Sequence, residues 1–118
     1  MKKKENIIKS FKHAFDGIWV ALKTERNLKI HITIMILVIM FGVILKISTI
    51  EWLICIILFG LVIALELMNT AIETVVDMIT LERNPKAKIA KDVSAGAVLV
   101  AAIAAAVIGL IIFVPKII

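Results

Sequence analysis

Three long apolar segments dominate this sequence and restrict what it can fold into. They occupy residues 30–47, 50–76 and 93–114. Each is close to the ~20 residues that a helix needs to cross a bilayer. Hydrophobic residues make up 62% of the 118 residues, above the roughly 45–50% that is usual for soluble domains. The sequence therefore predicts an all-α integral membrane protein: a single membrane domain, residues 1–118, with three transmembrane helices.

The basic residues are distributed unevenly along the chain. Eight of the fourteen lie within the first 29 positions, and four more are Arg83, Lys86, Lys88 and Lys91. Cytoplasmic segments of membrane proteins carry such an excess of Lys and Arg. We therefore expect the N-terminus and the 78–92 connection to be cytoplasmic and the C-terminus to be outside. The net charge of +5 then reflects membrane orientation, and we expect no nucleic-acid partner.

The segment before the first crossing has the pattern of a helix that lies on the membrane surface. Within residues 6–29, apolar side chains recur at spacings of three and four, as at Phe11, Phe15 and Ile18. Charged side chains occupy the other faces, a pattern typical of an amphipathic interfacial helix. The prediction is a surface helix over 6–29 that touches the membrane lipids, with a role as an anchor or in catalysis.

The third apolar segment is rich in small residues. "AGAVLVAAIAAAVIG", residues 95–109, consists largely of Ala and Gly. Small residues allow helices to pack closely within lipid, so this segment predicts a helix–helix interface of an oligomer. Pro85, in the connection before it, predicts a turn or a helix break.

The end of the second apolar segment carries a polar stripe. At about 100° per residue, Glu66, Asn69, Thr70, Glu73 and Asp77 fall on one helix face. A carboxylate near the bilayer centre costs roughly 2.5–3.5 kcal/mol on insertion scales. We therefore interpret Glu66, past the midplane toward the cytoplasm, as a functional group rather than a structural one.

Oxygen ligands at this spacing suit a hard cation such as Mg²⁺, which often bridges a carboxylate and nucleotide phosphates. Glu25 is expected at the same leaflet, and Lys91 and Asp92 approach it from the third segment. A lysine near metal-held phosphates would stabilise a transferring phosphoryl group. The spacing alone defines a cytoplasm-facing site of carboxylates and cations, which would serve ion movement equally well.

Three motifs in this chain resemble those of a known family. "ELMNTAIETVVD", "AKDVSAGAVL" and "GIWVALKTERN" are similar to the signature of the prokaryotic diacylglycerol kinases, which are small integral-membrane lipid kinases. The resemblance covers nearly the whole chain. "TERN", "IEW" and "GLIIFVPK" are most similar to members from Gram-positive bacteria that phosphorylate undecaprenol.

The resemblance implies a homotrimer in the bacterial inner (cell) membrane, with active sites on the cytoplasmic side that are shared between neighbouring subunits. It implies MgATP as phosphoryl donor and a membrane lipid alcohol as acceptor. The favoured activity is undecaprenol phosphorylation, giving undecaprenyl phosphate. The alternative within the class is a diacylglycerol kinase that makes phosphatidic acid. From another class, a non-enzymatic channel or scaffold would also use Glu66.

The resemblance also assigns roles to individual residues. Glu66 matches the general base that takes the lipid hydroxyl proton, with Asn69 beside it at the lipid site. Glu25 and Glu73 match the Mg²⁺ ligands. The nucleotide-binding set is Lys9, His13, Glu25, Asn69, Glu73, Lys91 and Asp92.

The sequence departs from the diacylglycerol-specific members at several of these places. Asn6 replaces an arginine, and His13 stands at a nucleotide-contacting tyrosine. The run 83–85 differs from the Tyr-His-Glu that contacts the nucleotide there. His31 replaces a glutamate, and we interpret it as an interfacial polar residue. The departures affect the nucleotide-base contacts and the lipid preference rather than the phosphoryl-transfer residues.

Overall fold

The chain folds into helices joined by short connections. The computed structural model describes residues 3–118, with side chains from Asn6 onward, so residues 1 and 2 of the predicted domain lie outside it. In the described part the elements are α1 (Lys3–Thr24), α2 (Arg26–Leu45), α3 (Thr49–Ile79) and α4 (Pro85–Ile117). The prediction of an all-helical chain is confirmed.

Three of the helices are long and apolar enough to cross a membrane. They are α2, α3 and α4. No more than 17% of the most apolar stretch of any of them is buried within the chain. Because the remaining apolar surface faces outward, it needs lipid or further protein to cover it. These two features identify the chain as a membrane protein.

The spanning helices are aligned at one end and unequal at the other. Lys116 near the end of α4 donates to Glu51 near the start of α3 at 2.7 Å, so these ends lie at one level. The 20 residues of α2 span about 30 Å, whereas the 31 of α3 and 33 of α4 span roughly 46 and 50 Å. The longer helices therefore extend past the ~30 Å hydrocarbon thickness at the opposite end.

The helix boundaries differ from the predicted segments. The first helix, predicted over 6–29, ends at Thr24, because Glu25 adopts an extended conformation and α2 begins at Arg26. At the other connection α4 begins at Pro85 rather than at residue 93, so the turn predicted at Pro85 lies directly before the helix. Proline favours this first position since its missing N–H would have no intrahelical partner there. The Asn84 side chain caps the helix by accepting from two backbone N–H groups.

A tight turn joins α2 to α3 at the aligned end. Lys46 adopts the left-handed conformation, with φ of 53°, and its N–H bonds to carbonyl oxygens of the last turn of α2. Ser48 and Glu51 then form a reciprocal capping box that starts α3. Gly42 is buried in this turn, where an added Cβ would lie 2.7 Å from Cη2 of Trp52. The turn thus depends on close contact between the α2 backbone and an indole ring.

The most extensive helix packing is between α3 and α4. At the aligned end, Ile47, Cys55 and Ile112 form a small buried cluster. At the other end α1 contacts α2 and α3. This arrangement holds the polar face of α3 between the start of α2, the α1–α2 break and the start of α4.

Candidate functional site

Two polar residues of the predicted stripe on α3 are buried. Glu66 is 3% exposed and Asn69 is 7% exposed, although no neighbouring chain is present to cover them. Glu73, one turn beyond Asn69, is half-buried. Glu66 begins about 25 Å along α3 and Glu73 about 36 Å along it. A ~30 Å hydrocarbon layer that begins at the first residue of α3 would therefore end between Glu66 and Glu73.

The Asn69 amide is oriented by the next acid of the stripe. Its Nδ2 donates to Oε1 of Glu73 at 3.1 Å, an arrangement that distinguishes the amide nitrogen from the oxygen. Among the described residues its Oδ1 is buried and has no hydrogen-bond partner. Such an atom is costly to leave unpaired, so it provides an acceptor for a ligand hydroxyl, an N–H group or a cation.

The Glu66 carboxylate has a basic side chain beside it, that of His31 on α2. Its Nε2 lies 3.4 Å from Oε1 of Glu66, and the two side chains are 22% and 4% exposed. Our interpretation of His31 as an interfacial polar residue did not include this contact. The position of His31 along its helix could have indicated the contact. It follows the α2 start by five residues, which places it near the level that Glu66 occupies on α3.

Glu25 is the third acid that approaches this place. It is the single residue between α1 and α2, and it is half-buried. The break that contains Glu25 joins α1, which packs against α3, to α2, which carries His31. The structure thus gathers Glu25, Glu66, Asn69 and Glu73 around one polar region that also contains His31.

The donor atoms of this region fit Mg²⁺ in part. In residues 3–118 no group of three or more His, Cys, Asp or Glu side chains could hold a metal on its own. Mg²⁺, however, is usually bound by one or two carboxylates and completes its shell with water and phosphate oxygens. Glu25, Glu73 and the unpaired Asn69 oxygen are donors of that kind.

The predicted residues at the start of α4 are both engaged in ion pairs. Nζ of Lys91 lies 2.5 Å from Oδ1 of Asp77 on α3, and Lys88 pairs with Asp92 one turn along α4. These side chains, with Arg83, line an open hollow of about 920 Å³ at the protruding ends of α3 and α4. The hollow is wide and charged side chains line part of it, so a water-soluble ligand can enter it.

The predicted residues of α1 stand apart from these contacts. Lys9 and His13 are exposed. Neither makes a hydrogen bond or ion pair with another side chain of the described part. A single chain therefore does not connect Lys9 or His13 to the acids by a polar contact.

A partly open apolar cavity of about 240 Å³ lies between α2, α3 and α4. It extends from His31 along the inner faces of the helices to Ile112 and Phe113 near the aligned end. Apart from the Cys55 thiol, His31 is the one polar side chain that the structure places on its wall. An apolar space therefore adjoins the residue that contacts Glu66, a combination that suits a ligand with an apolar chain and a polar end.

A membrane-spanning helical domain whose buried carboxylate contacts a wall residue of an apolar cavity is suited to a substrate with a polar end and an apolar chain. Comparison with known proteins defines the class of this protein. A family model described as prokaryotic diacylglycerol kinase matches residues 12–113. This chain belongs to that family and is a lipid kinase. The match includes every predicted site residue except Lys9.

Two named relatives are similar over most of this chain. An undecaprenol kinase of Bacillus subtilis is 49% identical over 108 residues, which cover 92% of this chain and 88% of that protein. A diacylglycerol kinase of Synechocystis sp. is 42% identical over 105 residues, which cover 88% of this chain and 60% of that longer protein. The kinase class excludes the predicted alternative of a non-enzymatic channel or scaffold as the primary function.

Proposed function

We propose that this chain phosphorylates undecaprenol, with MgATP as the phosphoryl donor, to give undecaprenyl phosphate. The observation that carries the proposal is the buried Glu66 carboxylate, which lies beside His31 where the apolar cavity begins. A lipid alcohol whose first chain atoms enter that cavity has its hydroxyl within reach of Glu66. The similarity to the Bacillus subtilis undecaprenol kinase supports the choice of acceptor.

Glu66 acts as the general base. It accepts the proton of the lipid hydroxyl as the hydroxyl oxygen bonds to the γ-phosphorus of ATP. The bond between that phosphorus and the bridging oxygen of ADP breaks, so the products are the lipid phosphate, ADP and the proton held by Glu66. Positioned general-base assistance is typically worth about 10²–10⁴ in rate. Asn69 lies one turn away and presents its unpaired oxygen to the same substrates.

Glu25 and Glu73 would hold Mg²⁺, which is usually bound by one or two protein carboxylates together with phosphate oxygens and water. The ion supplies positive charge that offsets the charge of the transferring phosphoryl group. Lys91 and Asp92 contribute to the nucleotide site from the start of α4, where they line the open hollow. Lys9 and His13 contribute from α1, when that helix lies against the nucleotide.

The proposed assembly is a homotrimer in the bacterial cell membrane, with the N-terminus and the active site on the cytoplasmic side. The uneven distribution of Lys and Arg supports this orientation. The large exposed apolar surface and the small residues of α4 support close contact with further copies. In this arrangement α1 rests on the membrane surface with Phe11, Phe15 and Trp19 in contact with lipid.

The experiment is a direct comparison of two acceptors. Purified protein in detergent micelles is given MgATP with either undecaprenol or a diacylglycerol, and the phosphorylated lipid is quantified. We expect a higher kcat/KM for undecaprenol. A higher value for diacylglycerol would replace the proposed substrate with that of the Synechocystis relative. ATP hydrolysis that does not depend on either lipid would contradict both.

A further inference from the structure

His31 contacts the proposed base on one side and the apolar cavity on the other. Its Nε2 faces Oε1 of Glu66 at 3.4 Å, and its ring forms part of the cavity wall. The side chain is 22% exposed, whereas that of Glu66 is 4% exposed. The imidazole therefore lies between a largely enclosed carboxylate and the space that would hold a lipid chain.

Other neighbouring polar groups are already committed elsewhere. The Thr70 hydroxyl donates to the backbone carbonyl of Glu66, and the Asn69 amide donates to Glu73. In the part of the chain that the structure describes, His31 is the basic side chain that lies within 4.0 Å of the Glu66 carboxylate. No other side chain of the described residues forms a hydrogen bond or an ion pair with that carboxylate.

We propose that His31 is a positioning residue that holds the Glu66 carboxylate in the orientation needed to accept the proton of the lipid hydroxyl. This inference rests on the proposed function, since it requires Glu66 to be the base. An imidazole N–H can donate to a carboxylate oxygen, and a separation of 3.4 Å is within the range of catalytic contacts that shorten once substrate is bound. The second oxygen of Glu66 is then free to face the hydroxyl.

The expected effect is on the chemical step. A misplacement of a reacting group by about 1 Å can cost about 100-fold in rate. His31→Leu removes the donor while it keeps an apolar wall for the cavity. We expect it to lower kcat by roughly 10- to 100-fold with the KM for MgATP nearly unchanged. His31→Gln retains an N–H donor, and we expect it to recover most of the lost kcat.

A double-mutant cycle distinguishes positioning from a separate effect on folding or lipid binding. Turnover is measured for wild type, His31→Leu, Glu66→Gln and the double variant. If His31 acts through Glu66, His31→Leu has no further effect once Glu66 is replaced, because coupled groups are not additive. Thr33→Val, which alters an exposed hydroxyl on the same helix, is the matched control and should behave as wild type. Size-exclusion profiles of all variants establish that they fold alike.

Two results would overturn the positioning role: wild-type kcat in His31→Leu, or losses that multiply in the double variant. Equal losses in His31→Leu and His31→Gln would also exclude it, because a hydrogen-bond donor would then make no difference. Failure of the proposed function looks different. In that case the wild-type protein itself shows no lipid-dependent consumption of ATP, or Glu66→Gln retains full activity.

Discussion

Lys91 at the start of α4 and Asp77 near the end of α3 are joined by an ion pair of 2.5 Å across the connection between the two helices. Both side chains remain substantially exposed, at 40% and 49%, and exposed pairs contribute little to stability. The pair therefore does more to determine where the lysine points than to hold the helices together. Asp77 and any phosphate that binds nearby therefore compete for the Lys91 ammonium group.

Removal of Asp77 should release Lys91 for the nucleotide. We expect Asp77→Asn to lower the KM for MgATP by a few-fold while the thermal midpoint of unfolding stays within error of wild type. Lys91→Ala should raise that KM instead. Glu51→Gln removes an acid at the opposite end of α3 and is the control, with no expected change in this KM. A higher KM in Asp77→Asn would mean that Asp77 helps to place Lys91 for binding.

Replacement of the proposed base should affect the chemical step and spare nucleotide binding. We expect Glu66→Gln to lower kcat by about 10²–10⁴, because the amide cannot accept the hydroxyl proton at a comparable rate. Binding of MgATP, measured on the same purified sample, should be retained. Glu51→Gln removes a carboxylate at the opposite end of α3 and should leave turnover near wild type. Near-normal turnover in Glu66→Gln would eliminate Glu66 as the base.

Replacement of either proposed metal ligand should change the Mg²⁺ requirement of the enzyme. Glu25→Gln and Glu73→Gln each remove a charged oxygen donor, so we expect both to raise the Mg²⁺ concentration that gives half-maximal activity. The measurement is a Mg²⁺ titration at saturating ATP, with Glu51→Gln as the control. Elution volumes on size exclusion should match wild type. If both variants show the wild-type Mg²⁺ requirement, the ligands are other groups.

The turn between α2 and α3 provides a stability prediction. An Ala at position 42 would place its Cβ 2.7 Å from Cη2 of Trp52 and 3.1 Å from Cδ1 of Ile47. Overpacking of this kind typically costs about 1–3 kcal/mol, so Gly42→Ala should lower the unfolding midpoint in detergent. Gly17→Ala is the control, since nothing lies within 4 Å of an added Cβ there. Equal midpoints for the two variants would contradict the close approach of Trp52.

The proposed assembly predicts a definite crosslinking pattern. Treatment of the protein in membranes with a lysine-reactive crosslinker should produce dimers and trimers and no larger species, because a closed ring leaves no free interface. The same result should be obtained in mild detergent, with solubilised monomer as the reference. A pattern that stops at dimers, or a ladder that continues beyond trimers, would exclude the trimer.

The features that repeat along a single helix could be predicted from the sequence of this chain. Apolar segments of membrane length identified α2, α3 and α4, since a bilayer imposes a minimum length on any helix that crosses it. The spacing of Glu66, Asn69 and Glu73 placed them on one face because a single helix fixes their relative direction. These features depend only on local periodicity, which a single sequence contains.

Contacts between different helices could not be predicted from the sequence in the same way. The pairing of His31 with Glu66 depends on the rotation of α2 against α3, which periodicity does not define. The pair of Lys91 with Asp77 depends on α4 starting at Pro85, eight residues before the apolar segment begins. The apolar pattern marks where lipid begins rather than where the helix begins, so polar helical turns beyond the bilayer were missed.

The unequal lengths of the spanning helices create a meeting point for two substances that do not mix. At the aligned end the helices stop together, but α3 and α4 carry their last and first turns out into water. A water-soluble nucleotide can reach those turns without entering hydrocarbon. A long-chain alcohol can bring its hydroxyl to the depth of Glu66 without leaving hydrocarbon. The polar face of α3 therefore connects the hydrocarbon layer with the water beyond it. The length of that face along the helix determines how far the nucleotide and the lipid hydroxyl must each move before they meet.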